Sequence, residues 1–322
     1  MTFGEDWGWG SSRDESKAVF DAFVEAGGNF IDTANLYTNG TSEKLVGEFI
    51  HADRHRFVLA TKYSLFIDAK GDPNAAGNGR KNMIRAVEES LKRLGTDYID
   101  LYWMHAWDSL TPFDEVMRGF DDLVRSGKIL HAGISNTPAW LVAHGNTLAD
   151  LKGWTPFVAL QVEWSLIERT VERELVPMAN AFDMAITPWA PLGGGLLTGK
   201  YAKGGDRKTS RGGVITDERL RIADAVSEVA VEIGASPAQV ALAWLLFKPG
   251  TVIPIIGARR VDQIKDNLRS VEVVLSHEQI ARLDEASRID LGFPGRFQVA
   301  DGPRKYVSGG MFAQIERPPY RL

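Results

Sequence analysis

Four titratable residues of this chain fall where a chain of alternating strands and helices keeps its chemistry. Phe30-Ile31 is an apolar run that ends on Asp32, and Tyr37 follows five residues later. RFVLATK ends on Lys62, and YIDLYWMH ends on His105. Taken singly, each has an ordinary reading. An Asp after a strand caps helices and forms turns, and a His between Trp103 and Trp107 is commonly a satisfied core residue. Lys62 says more, because a lysine closing a buried run is costly to desolvate unless it is paired. Together the four form a coherent set. A phenol with a reference pKa of about 10 donates a proton poorly at neutral pH. A neighbouring ammonium favours the phenolate, a carboxylate holds that ammonium in place, and an imidazole can orient a carbonyl oxygen. Such a set donates a proton as a carbonyl is reduced. No side chain supplies hydride, so a nicotinamide is implied.

The elements that must position these residues alternate. A helix over residues 12 to 27, capped by Ser11, Ser12 or Asp14, precedes the strand NFIDTA. SEKLVGEFIHA reads as a helix with Thr41 or Ser42 as N-cap, FVLATKYS as a strand, and residues 71 to 80 as a polar, glycine-rich loop. Five further strands are YIDLYWMH, ILHAGIS, FVALQVEW, MAITPWAPL and VIPIIGA. Helical patterns lie between them, with Pro177 as a kink in VERELVPMANAF and Ser236-Pro237 opening SPAQVALAWLLF. RVDQIKDNLRSV and SHEQIARLDEAS are the last helices, and the tail from Gly292 reads as a long loop. Short β-α connections imply a parallel sheet. The fold expected is α/β, a single (β/α)8 TIM barrel over residues 1–322 with no linker or repeat. Seven strands are counted from position 29 onward. The first strand is expected to be truncated, with MTF as its last residues and the remainder upstream of Met1.

Composition narrows the classes. The chain is 44% hydrophobic and 25% charged, with a net charge of -5, and both signs are dispersed, which argues against a nucleic-acid surface. No run of 18 apolar residues points to a membrane span, and no secretory signal opens the chain. With no cysteine, thiolate chemistry is excluded and a cytoplasmic setting is expected.

The sequence resembles the aldo-keto reductase superfamily over nearly its whole length. The resemblance rests on GGNFIDTANLYTNGTSEKLVGEFI, LATKYS, SLKRLGTDYIDLYWMHAWD, GISN, QVEWS and PWAPLGGGLLTGKY. It implies a barrel that binds NADP(H) in extended form without a GxGxxG motif, and the chain has none. It implies Tyr37 as general acid/base, tuned by Lys62 and Asp32, with His105 orienting the carbonyl of an aldehyde, ketone or alcohol substrate. By the same resemblance Ser135, Asn136 and Gln161 hold the nicotinamide carboxamide and Trp189 stacks on the ring. Pro191, Leu192 and Gly193 lie along the pyrophosphate, with Lys200 adding charge and residues 203–213 folding over the cofactor or standing in solvent. Gly257, Arg259, Gln263, Asp266 and Asn267 surround the adenine and 2'-phosphate. Arg259 is read as opening a helix, and the adjacent Arg260 can substitute for it.

Two other classes stand beside this one. Potassium-channel beta subunits share the barrel and a similar PWAPLGGGLLTGKY segment, so a regulatory or binding subunit is the alternative. A metal-dependent barrel hydrolase needs clustered His and Asp at strand ends, and only His105 is so placed, with His131 inside a strand; no metal site is expected. Trp7, Trp9, Phe66, Trp107, Phe293 and Phe297 are candidates for an aromatic pocket.

Overall fold

The computed structural model describes residues 1–67, 71–201 and 214–316. In chain order these form α1 (Arg13–Glu25), β1 (Phe30–Asp32), α2 (Thr41–Ile50), β2 (Val58–Tyr63), α3 (Arg80–Leu94), β3 (Ile99–Met104), α4 (Phe113–Arg125), β4 (Ile129–Ser135), α5 (Ala139–Lys152) and β5 (Phe157–Glu163). After them come α6 (Leu175–Ala181), β6 (Ala185–Trp189), α7 (Asp217–Ile233), α8 (Pro237–Leu246), α9 (Val261–Leu268), α10 (His277–Ala286), α11 (Gly295–Val299) and α12 (Asp301–Val307). The strands stand in the order β1-β2-β3-β4-β5-β6. The chain divides into two compact units, Met1–Gln161 with Ile255–Arg269, and Val162–Pro254 with Ser270–Leu322.

In the first unit β1 to β5 pair in parallel, each with the next. The register carries one row of side chains across the sheet, since Lys62 pairs with Trp103 and Trp103 with Gly133. Glycine is needed there: a Cβ on Gly133 would stand 2.3 Å from Trp103 Cε3. β2 is covered on both faces, with Thr61, Lys62 and Tyr63 all fully buried. Behind it lies a second buried charge, Glu43 of α2, which accepts from Thr61 Oγ1 and from Arg93 Nε of α3, both at 2.6 Å. The sequence reading did not single out that pair. Phe20, Phe49 and Phe57 pack together where α1 and α2 meet the start of β2.

The helix ends follow local chemistry. Ser12 caps α1 in a capping box with Glu15. α2 departs from expectation, because its N-cap is Gly40 at φ 89 and not Thr41 or Ser42. The cause lies just before it: Thr38 and Asn39 also have positive φ, and Thr38 Oγ1 accepts from Ser42 N at 3.0 Å, doing the work expected of a cap hydroxyl. α9 and the segment before it pack on α1, with Ile264 and Ala258 against Val19 and Ala22.

In the second unit Trp164 N–H donates to Trp189 O (3.4 Å) between the end of β5 and β6. VIPIIGA is not a full strand; among the described residues it contributes one parallel bridge, Val252 to Ile186. Six strands are therefore present among the described residues where seven and a truncated eighth were expected. Phe3 and Gly4 bridge back to Ser11 instead of joining the sheet. Pro177 does not kink a helix: the break comes at Glu174 (φ -141), and Pro177 sits in the first turn of α6, where its missing N–H costs nothing. α8 opens as expected on Ser236 and Pro237, with Gln239 completing a capping box. The tail carries α11 and α12 where a loop was expected. No single described helix is long and apolar enough to cross a membrane.

Candidate active site

Lys62, the penultimate residue of β2, is fully buried and is held on two sides. Its Nζ donates to Asp32 Oδ2 at 2.5 Å and to Thr33 O at 2.7 Å. Asp32 closes β1 and its side chain is 6% exposed. Its second oxygen, Oδ1, accepts from Gln161 Nε2 of β5 at 3.0 Å. Both carboxylate oxygens are thus committed, and the carboxylate cannot swing away from the lysine. Burial is the largest influence on Lys62 and works against its charge, but Asp32 and Tyr37 outweigh it and its pKa ends above the usual lysine value. The ammonium stays charged in a dry place.

Tyr37 stands beside that charge, with Lys62 Nζ 4.8 Å from the ring centroid. Its segment is pinned by Tyr37 N–H to Ala34 O (3.1 Å) and by Thr38 Oγ1 to Phe3 O (2.9 Å). The ring meets His105 edge-on, centroids 5.9 Å apart at 80°, and meets Trp7 at 6.4 Å and 79°. Trp7 is steadied by Nε1–H to Asn39 Oδ1 at 3.3 Å and lies 5.8 Å from Trp9.

His105 follows β3. Burial, with the Lys62 cation adding to it, pushes its pKa down to about 3. The imidazole is therefore neutral at physiological pH. Its Nδ1 is buried without a hydrogen-bond partner among the described residues. The main chain of His105, by contrast, is fully bonded: its N–H reaches Tyr63 O (3.1 Å) and Ser64 Oγ (3.0 Å), and its carbonyl accepts from Asn136 Nδ2 (2.9 Å).

The structure thus brings Asp32, Tyr37, Lys62 and His105 together, with Gln161 joined to them through Asp32. Ser135 ends β4 and is buried, with Oγ lacking a partner among the described residues. Asn136 follows it at φ 47. Gly257, Arg259, Gln263, Asp266 and Asn267 lie in the same unit on α9 and the segment before it. Here one expectation is corrected. Arg259 does not open the helix; Arg260 is the N-cap of α9. Gln263 Oε1 reaches back to accept Arg259 N–H at 3.0 Å, and Ser11 Oγ donates to Arg259 O at 3.2 Å. The fork of Arg260 lies on Asp262, both bonds at 3.0 Å, in an exposed pair. Arg259 is exposed and makes no ion pair among the described residues.

Trp189, Pro191, Leu192, Gly193 and Lys200 belong to the second unit. Trp189 ends β6. The loop after it holds Gly193, Gly194 and Gly195 at φ 56, 65 and 94. Gly195 at φ 94 suits glycine, and a Cβ there would stand 3.0 Å from Lys200 Nζ, so the ammonium lies close against the loop backbone. Residues 203–213 lie outside the described residues. Of the aromatic candidates, Trp107 meets exposed Trp140 edge-on at 6.2 Å, Phe66 is exposed, and Phe293 pairs with Phe297 at 6.5 Å in the second unit.

Sequence reasoning missed Ser64, Asn78 and Asp108. Asn78 N–H donates to Asp108 Oδ2 and Asp108 N–H to Asn78 Oδ1, both at 2.7 Å, while Asn78 Nδ2 reaches Ala106 O at 2.8 Å. This clamp ties the glycine-rich loop to the segment after His105. Its residues are common turn formers, so nothing in the sequence set them apart.

The model of the aldo/keto reductase family matches residues 1–288. The chain belongs to that family. It is 38% identical over 315 residues to norsolorinic acid reductase of Aspergillus flavus, covering 95% of this chain and 81% of the relative. It is 38% identical over 317 residues to aryl-alcohol dehydrogenase [NADP(+)] of Phanerodontia chrysosporium, covering 91% and 82%. It is 36% identical over 307 residues to the probable aryl-alcohol dehydrogenase AAD4 of Saccharomyces cerevisiae, covering 91% and 93%. This aldo/keto reductase is thus akin to oxidoreductases over most of its length.

Proposed function

We propose that this chain is an NADP(H)-dependent oxidoreductase that interconverts a carbonyl and an alcohol, with Tyr37 as general acid/base, on a single (β/α)8 barrel domain. The observation that carries this reading is Lys62: fully buried, fixed by Asp32 at 2.5 Å, and 4.8 Å from the Tyr37 ring. A buried cation retained beside a phenol is costly, and it has a purpose if negative charge must appear on that phenol.

The residues fit a nicotinamide. Its carboxamide needs hydrogen-bond partners, and Ser135 Oγ is a buried polar atom without one among the described residues. Gln161, its partner on β5, and Asn136, the residue after β4, flank it, their amide nitrogens donating to Asp32 and His105 O. Trp189 would pack on the ring, and Pro191, Leu192, Gly193 and Lys200 would serve the pyrophosphate. Gly257, Arg259, Gln263, Asp266 and Asn267 would hold the adenosine end, with Arg259 on the 2'-phosphate. When bound, NADPH supplies the hydride that no side chain can provide.

In the reductive direction Tyr37 passes its phenolic proton to the carbonyl oxygen as charge gathers there. Lys62 stabilises the phenolate left behind, and the neutral His105 directs the carbonyl by hydrogen bonding without adding a second cation. An aromatic substrate is supported by the names of the two aryl-alcohol dehydrogenase relatives and by Trp7 set edge-on to Tyr37.

The test follows NADPH oxidation over a panel of aromatic and aliphatic aldehydes and ketones. Tyr37→Phe is expected to lower kcat by roughly 10²–10⁴-fold, the range for general acid catalysis. NADPH affinity, read by fluorescence titration, should stay near wild type. A variant that keeps a third of wild-type kcat while chemistry limits the rate removes Tyr37 from the role.

A further inference from the structure

We propose that Ser64 is a positioning residue for His105, fixing the imidazole through its main chain from the end of the neighbouring strand. The inference rests on the reading of His105 as the group that orients the carbonyl, and adds a residue through which that orientation is set.

Ser64 follows β2 and is 4% exposed. Its φ is 88, in the region that glycine occupies freely and L side chains rarely adopt. The backbone alone therefore does not account for a serine here. Its side chain does. Ser64 Oγ accepts from His105 N–H at 3.0 Å and from Ala106 N–H at 3.2 Å, and donates to Tyr63 O. A turn-forming serine ordinarily bonds a backbone group two or three residues along the chain. This one reaches 41 and 42 residues away, to two consecutive amides at the end of the next strand. Its own carbonyl accepts Gly77 N–H at 2.8 Å, which ties the glycine-rich loop to the same point.

The imidazole needs such a hold. With Nδ1 buried and unpartnered among the described residues, no hydrogen bond from that nitrogen sets the ring. Its aim comes from where the main chain puts it and from the edge-on contact with Tyr37. The N–H side of that main chain belongs to Tyr63 and Ser64, and the carbonyl side to Asn136. A shift of about 1 Å in a group that orients substrate can cost about 10²-fold in rate.

Ser64→Gly isolates the hydroxyl, since glycine keeps φ 88 without strain; Ser64→Ala, which keeps the Cβ, is the second variant if the first folds poorly. The expected result is a fall of about 10–100-fold in kcat, with the NADPH Kd unchanged. In a His105→Ala background the same substitution is expected to change kcat less than about twofold, because a residue that acts through His105 has nothing left to position. Wild-type kcat in Ser64→Gly overturns the proposal, and so does an equal loss in both backgrounds. The His105 imidazole resonance, assigned by its disappearance in His105→Ala, gives a readout independent of turnover: it is expected to shift or broaden in Ser64→Gly, and an unmoved resonance also overturns the proposal. If wild type reduces no carbonyl, the reading of the reaction fails, and the resonance alone still decides whether Ser64 fixes the ring.

Discussion

Lys62 shows what a single buried charge demands of its neighbours. Its ammonium has given up water and gains Asp32, the Thr33 carbonyl and the face of Tyr37 in return. Replacing it by methionine keeps the volume but leaves Asp32, 6% exposed, with Gln161 Nε2 as its remaining side-chain donor among the described residues. Two results are expected of Lys62→Met. Reduction at neutral pH is lost, since charge on the phenol is no longer stabilised. Stability in urea falls by about 3–5 kcal/mol, the cost of breaking a buried pair from one side. A variant with an unchanged pH–rate profile would mean that the lysine serves packing alone. At this scale the sequence was legible where chemistry is costly: Asp32, Lys62 and His105 end apolar runs, and an ionisable group there calls for explanation. It was silent on Ser64, because a positive φ at serine leaves no trace in composition, and on the Asn78–Asp108 clamp, whose residues suit any loop.

Elements were legible where periodicity and caps agree, as in α1 with Ser12 and α8 with Ser236. They were misread where tertiary bonds replace local signals. VIPIIGA is apolar enough for a strand, yet among the described residues its pairing is the bridge at Val252 with the Ile253 N–H bond to Ile186 O, beside the Ile186 N–H bond to the preceding Thr251 O. The tail from Gly292 looked like a loop because glycine is frequent there, and α11 and α12 are only 5 and 7 residues long. Register gives a prediction of its own. Gly133→Ala sets a methyl against Trp103, in the row that includes Lys62, and is expected to destabilise the protein by about 1–3 kcal/mol, as overpacking does. An unchanged urea midpoint would show that Trp103 can yield. The start of α9 gives another. Arg259 makes no ion pair among the described residues, so discrimination between NADPH and NADH should reside mainly there. Losing one charge-assisted bond costs about 1.5–3 kcal/mol, or roughly one to two decades in Kd. Arg259→Ala is expected to erase that much of the preference and Arg260→Ala little of it; titration of both reduced cofactors decides, and a preference that survives in Arg259→Ala places the phosphate elsewhere.

For the whole molecule, buried titratable groups set the pH range in which the fold is most stable. His105 titrates normally near 6.5 when unfolded but near 3 when folded. Between those values the unfolded chain binds a proton that the folded chain refuses, so stability must fall as pH drops from about 6.5 toward 3. Lys62 acts at the other end. Its folded pKa lies above 10.5, so its contribution is fully present below about 10.5 and is lost as pH rises through the folded value. Carboxylates such as Asp284, whose burial is outweighed by Lys248 and Arg169 so that its pKa is lowered, keep their contribution above the unfolded value near 3.8 and lose it as pH falls through the folded one. Glu163, raised by burial, has the opposite sign just above 4.5. The interval from 6.5 to about 5 is therefore where His105 stands out. Urea unfolding of wild type at pH 8, 6.5, 5 and 4 is expected to show a declining free energy across that interval, and His105→Gln, which cannot take the proton, is expected to show a shallower decline. Parallel curves for the two proteins would show that His105 is not buried neutral as described. The same burial keeps the imidazole uncharged beside Lys62, so the acid limit of stability and the electrostatics of the candidate site have one physical origin.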